Sequence, residues 1–90
     1  MRYNLYTVYD RVGEEAGAPF ICRTDGIAVR QFVTAFRQAN RPEIKLEDHW
    51  LYRIGSFDNE TMVLKTFDVP LRLELGNFDV EVANEQEAVQ

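Results

Sequence analysis

Residues 3–9, Tyr-Asn-Leu-Tyr-Thr-Val-Tyr, are rich in aromatic and β-branched side chains and read as a strand. A period of two sets Tyr3, Leu5, Thr7 and Tyr9 on one face and Tyr6 and Val8 on the other. Both faces are apolar, which suits a central strand or one whose outer face meets a partner. Residues 10–17 carry charge and two glycines without apolar periodicity, so an exposed loop is expected there. Pro19 opens a second short strand, Phe20 to Cys22, because proline is tolerated at a strand's first position. The period then changes. Val29, Phe32, Val33 and Phe36 fall at i, i+3, i+4 and i+7, bordered by Ala28 and Ala35, with Arg30, Gln31, Arg37 and Gln38 on the wet side. This stripe predicts a helix over 25–39, capped by Thr24 or Asp25 and ended by Asn40 and Pro42.

Residues 43–49 are polar and mixed. Trp50 to Phe57 reads as a strand, Asp58-Asn59-Glu60 as its turn and Thr61 to Phe67 as the returning strand. Trp50, Tyr52 and Ile54 share one face, and Leu51, Arg53 and Phe57 the other. Gly55 marks a bulge or a close backbone approach. After Pro70, Leu71-Arg72-Leu73-Glu74-Leu75 alternates and predicts a half-buried edge strand, and Phe78 to Val82 alternates again after the turn Gly76-Asn77. The expected fold is α+β, a mostly antiparallel sheet of four to six strands in the order β-β-α-β-β-β with one helix packed on one face. Residues 1–82 form the single domain, and 83–90 are expected to be an acidic, flexible tail.

Ninety residues leave room for one hydrophobic core, and a 46% hydrophobic, 12% aromatic composition suffices to build it. The single cysteine, Cys22, forms no intramolecular disulfide and no multi-cysteine zinc site. No apolar run has the length of a membrane span, and Met1-Arg2-Tyr3-Asn4 passes into the first strand without a signal-peptide pattern. A reducing, cytoplasmic setting without membrane attachment is the expectation. The net charge of −5 is uneven. Residues 1–66 balance nine basic side chains against nine acidic ones, whereas residues 67–90 set Arg72 against six acids. The acidity belongs to the C-terminal segment, so it does not exclude nucleic-acid binding by the body of the domain.

No catalytic constellation emerges, and the chain is not expected to be an enzyme. His49 is the only histidine; its neighbour Asp48 points to the opposite face of a strand and does not orient it as a general base. Cys22 follows Phe20-Ile21 and reads as a small buried hydrophobe, not as a nucleophile activated by Arg23. The carboxylates of Glu14-Glu15, Glu47-Asp48 and Asp58-Asn59-Glu60 lack calcium-loop spacing, and no phosphate-cradling glycine motif is present, so neither metal nor cofactor is expected. What remains is a set of strand aromatics, Tyr3, Tyr6, Tyr9, Trp50, Tyr52 and Phe57, with Arg2, Arg53 and Arg72 near them in the pattern. Single-stranded nucleic acid is commonly held by rings that stack on bases while arginines meet phosphates. On that chemistry the candidate nucleic-acid-binding residues are Tyr52, Arg53, Trp50, Arg2 and Tyr6. The competing reading places most of the rings in the core under the helix, and homodimerisation through the second sheet face is the alternative use of that surface.

Three blocks, in order, carry a resemblance. They are Tyr6-Thr7-Val8-Tyr9-Asp10; Pro19-Phe20 followed by Thr24-Asp25-Gly26-Ile27-Ala28-Val29-Arg30-Gln31-Phe32; and Glu47-Asp48-His49-Trp50-Leu51-Tyr52-Arg53-Ile54-Gly55-Ser56-Phe57-Asp58. The chain resembles the small nonstructural proteins of gokushovirus-type microviruses, the single-stranded-DNA phages, over roughly residues 3–70. Leu46 stands where that pattern leads one to expect proline, and Met62 where it leads one to expect glycine. The resemblance implies a phage accessory protein of the host cytoplasm, absent from the mature capsid, that assists single-stranded genome synthesis or packaging. Its implied partners are single-stranded DNA and phage or host replication and packaging proteins, with the homodimeric protein-interaction module as the alternative function.

Overall fold

The computed structural model describes residues 1–78. Strand β1, Arg2–Asp10, is the axis of a five-stranded antiparallel sheet. On one edge it meets β2 (Glu15–Ala16) and β3 (Phe20–Cys22); on the other it meets β4 (His49–Asp58), which pairs in turn with β5 (Leu64–Arg72). Strands β2 and β3 take successive stretches of one edge: Tyr9 faces Ala16 and Asp10 faces Glu15, while Asn4, Leu5 and Tyr6 face Cys22, Ile21 and Phe20. Pro19, lacking an N–H, interrupts them, and the hydroxyl of Thr7 donates to the Gly17 carbonyl at 2.8 Å across the break.

The exposed loop expected over residues 10–17 therefore contains a two-residue strand. Its cause is a tight turn: Asp10 Oδ1 accepts from the N–H groups of Val12 and Gly13 at 2.9 and 3.0 Å, and Glu14 takes a left-handed φ of 58°. The Gly13 and Val12 N–H groups, with His49 nearby, hold the Asp10 carboxyl below its ordinary range.

Helix α1 spans Asp25–Gln38. Thr24 caps it, its Oγ1 accepting from the Ile27 N–H at 3.2 Å, and Asn40 ends it in the left-handed conformation at φ 51°. The predicted stripe is the buried one: Ala28, Val29, Phe32 and Val33 pack with Tyr6, Cys22, Leu51 and Leu73, and Phe36 borders them. Burial of each Val, Leu or Phe contributes about 1.5–3 kcal/mol, so this one-sided cluster between helix and sheet is the principal source of stability.

The alternation expected along β4 holds from Trp50 to Arg53 and is reset by the bulge at Ile54, so that Phe57, cross-strand from Tyr3, lies on the face of Trp50 and Tyr52 and not, as expected, on that of Leu51 and Arg53. Leu51 is buried under the helix, and Trp50 and Tyr52 point to the other side. Gly55 is both a bulge site and a close approach: the β1 ladder shifts register at Ile54, and a Cβ on Gly55 would overlap the Lys65 carbonyl oxygen and come within 2.9 Å of Thr66 Cα. In the β4–β5 turn, Asp58 Oδ1 accepts from the Glu60 N–H at 2.9 Å, and Met62 has φ 65°, the conformation that favours the glycine expected at that position.

The two strands expected over 61–67 and 71–75 are one strand, β5, which runs through Pro70. Proline is accommodated because β5 is, among the described residues, a sheet edge and because four residues, Phe67 to Pro70, stand opposite Ile54 alone, between the pairs Arg53–Leu71 and Gly55–Thr66. Leu73 leaves β5 but stays tied to β4, its N–H donating to the Leu51 carbonyl at 2.9 Å. One 3-10 turn, Leu75–Asn77, then lays Leu75 and Phe78 against the core. The strand expected over 78–82 lies, after its first residue, outside the described residues, as does the tail expected over 83–90. Among the described residues no helix is long and apolar enough to cross a membrane.

Candidate nucleic-acid interface

The sheet divides the five candidate residues between its two faces and its two ends. Tyr6 and Arg53 are cross-strand partners on the helix side. Tyr6 is fully buried, its hydroxyl donating to Asp25 Oδ1 at 2.7 Å and accepting from the Asn4 amide at 3.1 Å. Burial first, and then the bond to Asp25, push the phenol above its ordinary range. Arg53 Nη1 donates to the other oxygen of Asp25 at 2.8 Å, while its Nε is buried without a partner among the described residues. The guanidinium also lies 5.7 Å from the centre of the Phe67 ring. Asp25, in the first turn of α1, thus gathers a strand tyrosine and a strand arginine and ties the helix to the sheet. In this arrangement Tyr6 has no surface on which a base could stack, and Arg53 spends its charge on Asp25.

Arg2 is exposed at the far end of β1, opposite Asp58. It stands seven positions from Tyr9, about 23 Å at strand rise, so it does not join Trp50 and Tyr52.

Trp50 and Tyr52 do come together, on the face away from the helix, and the structure adds three neighbours. Tyr9 is the cross-strand partner of Trp50, with ring centres 6.5 Å apart and planes 26° from parallel. Tyr52 stands edge-on to Trp50 at 6.4 Å. Arg72, cross-strand from Tyr52, places its guanidinium 4.1 Å from the Trp50 ring centre, and Arg11 places its own at 4.5 Å. Arg11 is fixed there by its backbone N–H, which donates to the Asp48 carbonyl at 2.9 Å, and by Nη1, which reaches the Glu47 carbonyl at 3.3 Å. Glu74 approaches Arg72 only to 3.7 Å.

Beside this cluster the outer face is hollowed by the bulge at Ile54. Thr7, Tyr9, Ala16, Tyr52, Ile54, Val69 and Pro70 line an open, largely apolar cleft of about 410 Å³. Two arginines, three aromatic rings and an apolar hollow therefore share one face of a sheet whose other face carries the core. A cation held over an indole keeps N–H groups for an anion, and tyrosine rings offer flat surfaces for bases.

Tyr9 was legible as a neighbour of Trp50 only through the antiparallel register, which sequence parity does not supply. Arg11 carried no signal: it lies just past the end of β1, in a segment without periodicity. Arg72 shared the alternating pattern after Pro70, but its pairing with Tyr52 depends on the four-residue bulge.

The other candidates for chemistry sit elsewhere. His49 lies on the helix side, its Nδ1 2.7 Å from the Lys45 carbonyl oxygen and its ring 4.6 Å from that of Phe36; its carboxylate neighbour is Asp10, at 3.9 Å from Nε2, not Asp48. Cys22 is buried in the core, and burial pushes its thiol up, away from the reactive thiolate. Among the described residues no three His, Cys, Asp or Glu side chains gather as a metal site.

Comparison with known proteins gives one result. A family model described as Phage ORF5 protein matches residues 3–78, which include every residue of the outer-face cluster. No curated protein matches the chain. No solved structure matches it.

Proposed function

The chain belongs to the Phage ORF5 protein family, and we propose that it is a non-enzymatic phage accessory protein that binds single-stranded DNA through the helix-free face of its sheet, in the host cytoplasm, during genome synthesis or packaging. The observation that carries this reading is the placement of Arg11 and Arg72 over Trp50, with Tyr9 and Tyr52 beside it. The cations meet phosphates, and the rings, together with the apolar cleft, receive unpaired bases. The resemblance to gokushovirus-type nonstructural proteins supports a single-stranded genome as the ligand. Only two arginines serve the backbone, so affinity is modest and the logarithmic salt slope is about −1.4, at about −0.7 per neutralised phosphate.

Fluorescence anisotropy of a labelled single-stranded oligonucleotide, titrated at several salt concentrations, tests this. Arg11→Ala and Arg72→Ala are each expected to weaken binding and to reduce the salt slope by about 0.7. Affinity and slope unchanged in both variants would remove this face as the binding site.

A further inference from the structure

We propose that Tyr3 and Phe57 form a second base-stacking station, so that one DNA strand lies along β1 and β4 with its bases against the sheet and fills the face with about four to six nucleotides. The inference rests on the reading of the outer face as a single-stranded DNA site, and it sets the course and length of the strand held there.

Tyr3 and Phe57 are cross-strand partners. The period of two along β1 puts Tyr3 on the face of Tyr9, and the bulge at Ile54 turns Phe57 to that same face. Without the extra residue Phe57 would point to the helix side with Arg53. Both rings are half-buried, as are those of Tyr9, Trp50 and Tyr52, so each keeps part of its surface in solvent. Tyr3 stands six positions from Tyr9, about 20 Å at strand rise. The apolar cleft lies between the two stations, over Thr7, Tyr52 and Ile54.

The charges say which part of a nucleic acid this stretch receives. Between the stations β1 presents Leu5 and Thr7 on the outer face, and β4 presents Ile54 and Gly55; none is charged. Arg11 and Arg72 stand at the Trp50 end. A surface that receives phosphates needs cations along its length, whereas one that receives unpaired bases needs rings and an apolar floor. A duplex turns its phosphates outward and meets an uncharged stretch here. A single strand turns its bases in and leaves the phosphates beyond the arginines in water. Stacked nucleotides advance about 3.4 Å each, so about six fit within the distance between the stations. Single-strand sites on OB folds begin at about four.

Fluorescence anisotropy of the full chain with labelled oligothymidylates of increasing length, from a dinucleotide to a decanucleotide, tests the path. Affinity is expected to climb with each added nucleotide up to about four to six, and beyond that only in proportion to the number of registers on the strand. Tyr3→Leu and Phe57→Leu remove the rings and keep apolar bulk, with circular dichroism to confirm the fold. Each should weaken hexanucleotide binding roughly tenfold while leaving the dinucleotide affinity and the salt slope as in the wild type. An affinity that levels off before the fourth nucleotide, or a hexanucleotide bound equally by wild type and both variants, would overturn the proposal and leave the site at Trp50 standing. A folded protein that binds no oligonucleotide of any length removes both together.

Discussion

The guanidinium of Arg72, on β5, lies 4.1 Å from the centre of the Trp50 ring on β4, while Arg53, on the same strand as Trp50, turns to the other face and binds Asp25 at 2.8 Å. The two arginines are therefore expected to separate on substitution. Arg53→Ala leaves Asp25 with Tyr6 as its one remaining side-chain partner and costs about 1–3 kcal/mol in stability. Arg72→Ala removes an exposed stack, changes stability by no more than about 0.5 kcal/mol and lowers DNA affinity. Urea unfolding of the two variants, set beside their oligonucleotide binding, checks the division; an Arg53→Ala protein of wild-type stability would contradict it.

Glycine at position 55 is required by the backbone of β5. Gly55→Ala drives a Cβ into the Lys65 carbonyl and is expected to cost about 3 kcal/mol, at the upper end for overpacking. Gly76, where an added Cβ meets nothing within 4 Å, serves as the control, and Gly76→Ala should melt close to wild type.

Met62 pays for its left-handed backbone at φ 65°. That conformation costs an L-residue about 1–2 kcal/mol, part of which a glycine gives back through the entropy of the unfolded chain. Met62→Gly should therefore stabilise the fold by about 0.5–1 kcal/mol, and thermal denaturation should show a midpoint several degrees higher.

Alkaline pH should release the domain through Tyr6. Its phenol titrates above the ordinary 10.0 in the folded state, so the unfolded chain loses the proton first. The stability is complete below pH 10 and falls as the pH rises past it. The tyrosinate absorbance of Tyr6 should appear together with unfolding, and Tyr6→Phe should abolish that coupled step.

The helix was legible because a 3.6-residue stripe, an N-terminal threonine and a terminal asparagine agree on its limits, and the structure places its ends within one residue. The faces of β4 were legible as far as Arg53 for the same kind of reason, a period of two that separates Leu51 from Trp50 and Tyr52, but the bulge at Ile54 moves Phe57 to the other face and no local pattern announces it. The strand count was less so. Pro70 suggests a break when β5 is read alone, and only the edge position and the bulge opposite Ile54 explain why the strand continues. The site was half legible. Trp50 and Tyr52 follow from alternation, whereas Arg11 arrives through a turn that Asp10 folds back, and Tyr6 and Arg53 are claimed by an aspartate at position 25, whose side-chain partners lie 19 and 28 residues away in the chain. Local pattern assigns faces; it does not assign long-range partners.

Trp50 is the only tryptophan, so its emission reports directly on the proposed site. Titrating the protein with an unlabelled single-stranded oligonucleotide at low and high salt should quench that emission in a saturable way, with the midpoint moving to higher oligonucleotide concentration as salt rises. A folded protein whose tryptophan emission is unchanged by saturating oligonucleotide at both salts would contradict the assignment of this face to single-stranded DNA.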